Sequence, residues 1–230
     1  MRLALASFGQ LLHRAGSGQK GKMTEPIPRY EERQALQAVK VGIIFGFVAC
    51  LAYPLAVLAH LPKSATLTLV ACFGPALSFA SFGLRRLLDW KRPTISSSLG
   101  LMLNALGGAL FSAMAFVQLA VGYPAGADKV PSQFVAVWLG LDVAWDAYIG
   151  IGTVCFAVAM LRHPRFGVMF TVFGVGIGAG LLALHLYTFP TPPQNAGLID
   201  LGLAFGLWYF VVTIQMWRSL RWASQHTPAA

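Results

Sequence analysis

Residues Phe134 to Leu161 read FVAVWLGLDVAWDAYIGIGTVCFAVAML. The stretch is longer than the ~20 apolar residues a helix needs to cross ~30 Å of hydrocarbon at about 1.5 Å per residue. It also carries two acids, Asp142 and Asp146, and no other membrane-length stretch in the chain places an acid so far from its ends. The length points to the fold and the acids point to a site.

Five further stretches share the length and the apolar character. They run from about Val41 to Leu61, Ala65 to Leu88, Ser97 to Val121, Phe166 to Tyr187 and Ala196 to Trp217. The whole chain of 230 residues is 57% hydrophobic and only 11% charged, whereas a soluble domain carries about a quarter charged residues. The apolar runs are continuous and not the ten-residue alternating segments of a membrane barrel. The expected fold class is therefore an all-α integral membrane protein with six transmembrane helices.

The formal net charge is +9, which by itself would also suit a nucleic-acid binder. Here the basic residues stand between the apolar stretches and form no basic face, so they read as topology signals. The expected partner is the lipid bilayer, with no nucleic acid. Of seventeen Lys and Arg residues, fifteen fall in the N-terminal region, the second and fourth loops and the C-terminal tail, and only Lys63 and Lys129 fall on the other side. Cytoplasmic loops carry such an excess. Both termini are expected in the cytoplasm, in a cell membrane of the bacterial inner-membrane kind.

The chain divides on this reading into a cytoplasmic arm (1–40), a six-helix bundle (41–217) and a short tail (218–230). Met23 stands just before Thr24-Glu25-Pro26 and is an alternative start, which would leave residues 1–22 outside the native protein. The opening run to Leu12 is too short to span and lacks a convincing small-residue cleavage site, so no signal peptide is expected. From Arg29, RYEERQALQAVK reads as a helix leading into the first span. Cys50, Cys72 and Cys155 lie in apolar spans without CxxC or Cys/His spacing and read as small buried hydrophobes.

Within lipid, helices associate through small residues that let backbones approach. The fifth span supplies Gly174/Gly178 and Gly176/Gly180, and Gly42/Gly46, Gly202/Gly206 and Gly108/Ser112 repeat the spacing. The fifth span is expected to be central and tightly packed. Gly174-x-Gly176-x-x-Ala179 matches a dinucleotide fingerprint in letters only, because that fingerprint needs a preceding strand and an aqueous helix start.

Asp142 and Asp146 are four residues apart and share a helix face. Counted from Phe134, they lie about 12 and 18 Å along the helix. A lone ionised Asp at the bilayer centre costs about 2.5–3.5 kcal/mol. No Lys or Arg lies at membrane depth in any span, so the pair should hold protons, a metal or another cation, or pair with a hydroxyl, an amide, a histidine or water. Trp138 and Trp145 lie beside the acids. Tyr148 is level with Asp146 but two residues on, so it faces largely elsewhere; it is kept among the candidates. His185 and Asp200 are expected as an outer rim above the acid layer, with Tyr53, His60 and Gln118 also in the outer half. Asn104 reads as glue between helices, and Trp208 and Tyr209 as packing.

Three functions compete. Intramembrane acids suit binding or movement of a small solute, a cation or protons, although no internal repeat of the acid pair supports a transporter. A non-catalytic accessory or regulatory membrane protein fits as well. A membrane-embedded metal-dependent hydrolase fits less, because neither HExxH nor G-x-S-x-G is present. No catalytic residue is assigned and no motif names a cofactor. A retinal protein is excluded, since no lysine at membrane depth could form a Schiff base.

Overall fold

Each apolar stretch forms one helix. The computed structural model describes residues 29–59, 61–90, 92–122, 130–191, 193, 196–199 and 201–225. These form α1 (Arg29–Leu58), α2 (Lys63–Leu88), α3 (Ile95–Ala120), α4 (Ser132–Met160), α5 (Gly167–Thr188) and α6 (Gly202–Gln225), with no strand among the described residues. Helices are the expected solution for such sequences, because a helix satisfies all its backbone groups internally where no water is at hand. The run from Arg29 is continuous with the first apolar stretch. Residues 1–28, including Met23, lie outside the described residues.

Five of the six helices, α1 to α5, are long and apolar enough to cross a membrane. The sixth differs from expectation. It does not begin at Ala196 but at Gly202, after a turn in which Gly197 adopts a φ of 76°, and it runs on past Trp217 to Gln225. Its apolar part, Gly202 to Trp217, is therefore about 24 Å long, short of a ~30 Å core.

Consecutive helices pack side by side, and small residues sit at nearly every crossing. A methyl group added at Gly42 would lie 2.6 Å from the Cα of Gly83, so α1 and α2 touch backbone to backbone. Gly74 meets the Gly108 carbonyl between α2 and α3, and Ser112 donates across the same seam to the Val70 carbonyl at 3.3 Å. Gly100 of α3 takes the ring of Phe156 from α4, and Gly150 and Gly178 join α4 to α5. The α6 helix closes the ring on α1, where Gly46 faces Thr213, and on α5, where Gly174 receives Trp208. The Trp208 indole N–H also donates to the Phe170 carbonyl at 3.3 Å.

The fifth helix is not the central one. Only Gly174, Gly178, Leu181 and His185 of α5 are buried, while Val168, Met169, Val172 and Phe173 face outward. Its glycines divide between two faces: Gly174 and Gly178 face neighbours, but a side chain at Gly176 would meet open space. The α4 helix is the more enclosed, with Ile149, Thr153, Phe156, Ala157 and Met160 all fully buried. Around the outside, Ile44, Val172, Phe173, Leu203 and Leu207 are more than half exposed. So wide an apolar exterior is foreign to a soluble monomer and suits lipid.

At the end of the bundle that carries most of the arginines, Asp89 clamps the turn between α2 and α3. Its Oδ1 accepts from the Ser97 hydroxyl at 2.6 Å and from the Thr94 N–H at 3.1 Å, and its Oδ2 accepts from Arg85 Nε at 3.2 Å. The Arg85 side chain is 35% exposed, so the ion pair itself adds little. The bonds from Ser97 and Thr94 to a carboxylate carry the clamp. Asp89→Ala is expected to lower stability by about 1–2 kcal/mol, read as a fall in the melting temperature in detergent. An unchanged melting temperature would show that the turn holds without the clamp.

Candidate functional site

The α4–α5 seam sets the register of the site. A methyl at Gly178 would lie 2.6 Å from the Gly150 carbonyl oxygen, and one at Gly150 would lie 2.8 Å from the Gly178 carbonyl oxygen. Two antiparallel helices are thus in backbone contact at this crossing. From it, Asp146 and Asp142 stand about 6 and 12 Å back along α4, and His185 stands about 10 Å forward along α5. The imidazole therefore arrives between the two acids.

His185 Nε2 lies 2.8 Å from Asp146 Oδ2. The other ring nitrogen, Nδ1, lies 3.2 Å from the Leu181 carbonyl oxygen one turn earlier on α5. A carbonyl can only accept, so Nδ1 carries a proton and donates it there. The Nε2–Asp146 contact then holds one further proton, either as imidazolium against carboxylate or as imidazole against carboxylic acid. Asp146 is 5% exposed and His185 8%. Asp142 is partly buried, and one donor atom from each of Asp142, Asp146 and His185 can be chosen so that all lie within 4.8 Å of one another.

This placement changes the expected layering. His185 is not a rim above the acids but level with them. The depth reckoned from Phe134 assumes that α4 and α5 end in one plane. They do not: α5 ends at Thr188, about 4.5 Å beyond His185, while α4 begins at Ser132, well past that level. The overhanging start of α4 and the chain leaving α5 bound an open groove of about 440 Å³, lined by Val130, Ser132, Val135, Ala136, Leu139, Phe189 and Pro190. Val135, Leu139, Asp142 and Asp146 recur at three- and four-residue steps, so the groove, whose lining reaches Leu139, lies on the face that carries the acids about one turn before Asp142. The site lies nearer the end of the bundle than counting along one helix suggests.

The remaining candidates divide. Trp138 is buried one turn before Asp142 on the same face. Trp145 turns aside into an aromatic cluster, with ring centroids 5.8 Å from Phe73, 5.2 Å from Phe111 and 6.1 Å from Phe205. Tyr148 is 39% exposed and stands outside the three-residue group. Gln118 is half-buried on α3. Asp200, His60 and the side chain of Tyr53 lie outside the described residues.

A second polar layer lies two turns further along α4. The Tyr209 hydroxyl donates to Asn104 Oδ1, and Asn104 Nδ2 donates to the Gly100 carbonyl at 2.8 Å. Thr153 Oγ1 stands 3.0 Å from the Tyr209 hydroxyl and 2.7 Å from the Ile149 carbonyl. Three helices, α3, α4 and α6, are tied here by side chains that are buried throughout. Asn104 joins helices as its position suggests. Tyr209 does more than pack, and only the order of helices around the ring reveals its partners. Ile149, fully buried, separates this layer from the acids.

Comparison with known protein families, with characterised proteins and with solved structures finds no match.

Proposed function

We propose that this chain is a polytopic membrane protein, with both termini in the cytoplasm of a bacterial cell, that binds a small cation or protons at Asp142, Asp146 and His185. The observation that carries the reading is the 2.8 Å contact of His185 with Asp146, beside Asp142, in a bundle whose exterior is apolar. Groups of this kind are costly at membrane depth and are kept there where they hold an ion, a proton or each other. Within this group of three, two carboxylates stand against one imidazole, so an added proton or a bound cation lowers the cost of keeping both acids at this depth. The bias of basic residues toward one end supports the orientation.

The test uses the full chain in detergent, melted across a range of pH and with sodium, potassium, magnesium, calcium and zinc in turn. A ligand at about 100 times its Kd should stabilise the wild type by about 2.7 kcal/mol. The shift should vanish in Asp142→Asn or Asp146→Asn. If all three proteins melt alike at every pH and in every salt, the acids are neutral packing groups and the reading fails.

A further inference from the structure

The three donors are not equivalent to a generic cation trap. We propose that Asp142, Asp146 and His185 bind one divalent first-row transition-metal ion, with zinc as the reference case, reached through the groove at the start of α4. The proposal rests on the reading of the site as cation-binding and names the class of cation.

The donor set selects the ion. Calcium and magnesium take oxygen ligands almost exclusively. An imidazole nitrogen with carboxylate oxygens suits zinc, iron, nickel or copper. Charge points the same way. As ligands, two carboxylates and a neutral imidazole carry −2 between them, which a divalent ion matches in full and a monovalent ion by half.

The histidine is also held as a ligand would be. Its Nδ1–H is anchored on the Leu181 carbonyl at 3.2 Å, which fixes the ring and leaves Nε2 aimed at the acids. Metal-bound histidines keep such an outer partner as a rule. Binding replaces the Nε2–Asp146 hydrogen bond by two bonds to the metal, and the proton held there leaves to water.

The size of the cluster agrees. With ligand bonds of about 2.0–2.2 Å, a metal holds its donors about 3–4 Å apart. The contact of His185 with Asp146, 2.8 Å, opens slightly, and donors as far apart as the 4.8 Å limit draw in by about 1 Å, within reach of side-chain rotation. Three protein ligands leave a position for water, and Asp142, the least buried of the three, is the acid nearer along α4 to the groove that ends at Leu139.

The full chain in detergent, stripped with a chelator, is titrated with Co2+ and followed by its visible ligand-field absorption. One Co2+ per chain is expected, displaced by Zn2+ and not by Ca2+ or Mg2+. Affinity should fall about tenfold or more in His185→Gln and in Asp146→Asn. Asp142→Asn, at the least buried position, provides a variant whose folding is least at risk and should weaken binding likewise. If Co2+ leaves no ligand-field signal while calcium, sodium or protons still shift the wild-type melting, the metal class is wrong and the cation reading stands. If nothing shifts melting, both fall. If the Co2+ bands survive in every folded variant, the metal sits elsewhere and the proposal is overturned.

Discussion

Gly178→Leu is expected to pull α4 and α5 apart, while Gly176→Leu, two residues away, is expected to do almost nothing. At Gly178 even a single methyl would sit 2.6 Å from the Gly150 carbonyl oxygen and 3.1 Å from Val154. Backbone cannot give way as a flexible side chain can. Ordinary overpacking costs about 1–3 kcal/mol, and a leucine forced between two backbones should exceed that range. At Gly176 nothing lies within 4 Å. Leucine there gains helix propensity over glycine and should hold stability level or raise it by up to about 1 kcal/mol. Melting temperature and the yield of monodisperse protein in detergent read both variants. Because the Gly150–Gly178 crossing sets how far along α5 the imidazole reaches, Gly178→Leu should also abolish any cation-dependent shift in melting. A Gly178→Leu protein that melts like wild type would mean that the seam, and with it the placing of His185 against Asp146, is wrong.

The contrast between these two glycines shows what a linear reading can and cannot reach. Five helices were legible because each is one long apolar run, and no arrangement of neighbours was needed to see it. The start of α6 was not, since Ala196 to Leu201 is apolar enough to pass for helix and only the φ of 76° at Gly197 reveals the turn. Counting glycines suggested that α5 is central. Spacing alone cannot say that Gly174 and Gly178 meet neighbours while Gly176 faces outward. In the site, the four-residue spacing placed Asp142 and Asp146 on one face, and the two-residue step to Tyr148 already pointed that ring away. Sequence identifies His185 as a residue of the outer half but not its level, because α4 overhangs the end of α5. The bond from Tyr209 to Asn104 joins residues far apart in sequence and carries no local signal. The Asp89 clamp was nearer to hand: Thr94 and Ser97 stand at cap spacing just after the acid, a pattern that hydropathy alone passes over.

His185→Leu should be the costlier half of an asymmetric pair. Removing the imidazole leaves Asp146, 5% exposed, without its 2.8 Å partner. An ionised acid so placed costs about 2.5–3.5 kcal/mol on insertion scales, and breaking a buried pair from one side is generally worse than removing it whole. Asp146→Val leaves a different remainder. The imidazole can stay neutral, and its Nδ1–H keeps the Leu181 carbonyl, so only Nε2 loses a partner, at about 1–3 kcal/mol with the lower end favoured beside Asp142. The double variant buries neither the acid nor the ring and should recover most of the loss, because apolar replacement of a buried pair is often neutral or stabilising. The two single effects should therefore exceed the double effect by about 2 kcal/mol or more. Thermal melting of all four proteins in one detergent and one metal-free buffer closes the cycle. Additive effects would mean that His185 and Asp146 do not act on each other, whatever their distance. A double variant as unstable as the worse single one would locate the cost in packing around a mis-shaped side chain, and not in the charge that the pair exists to neutralise.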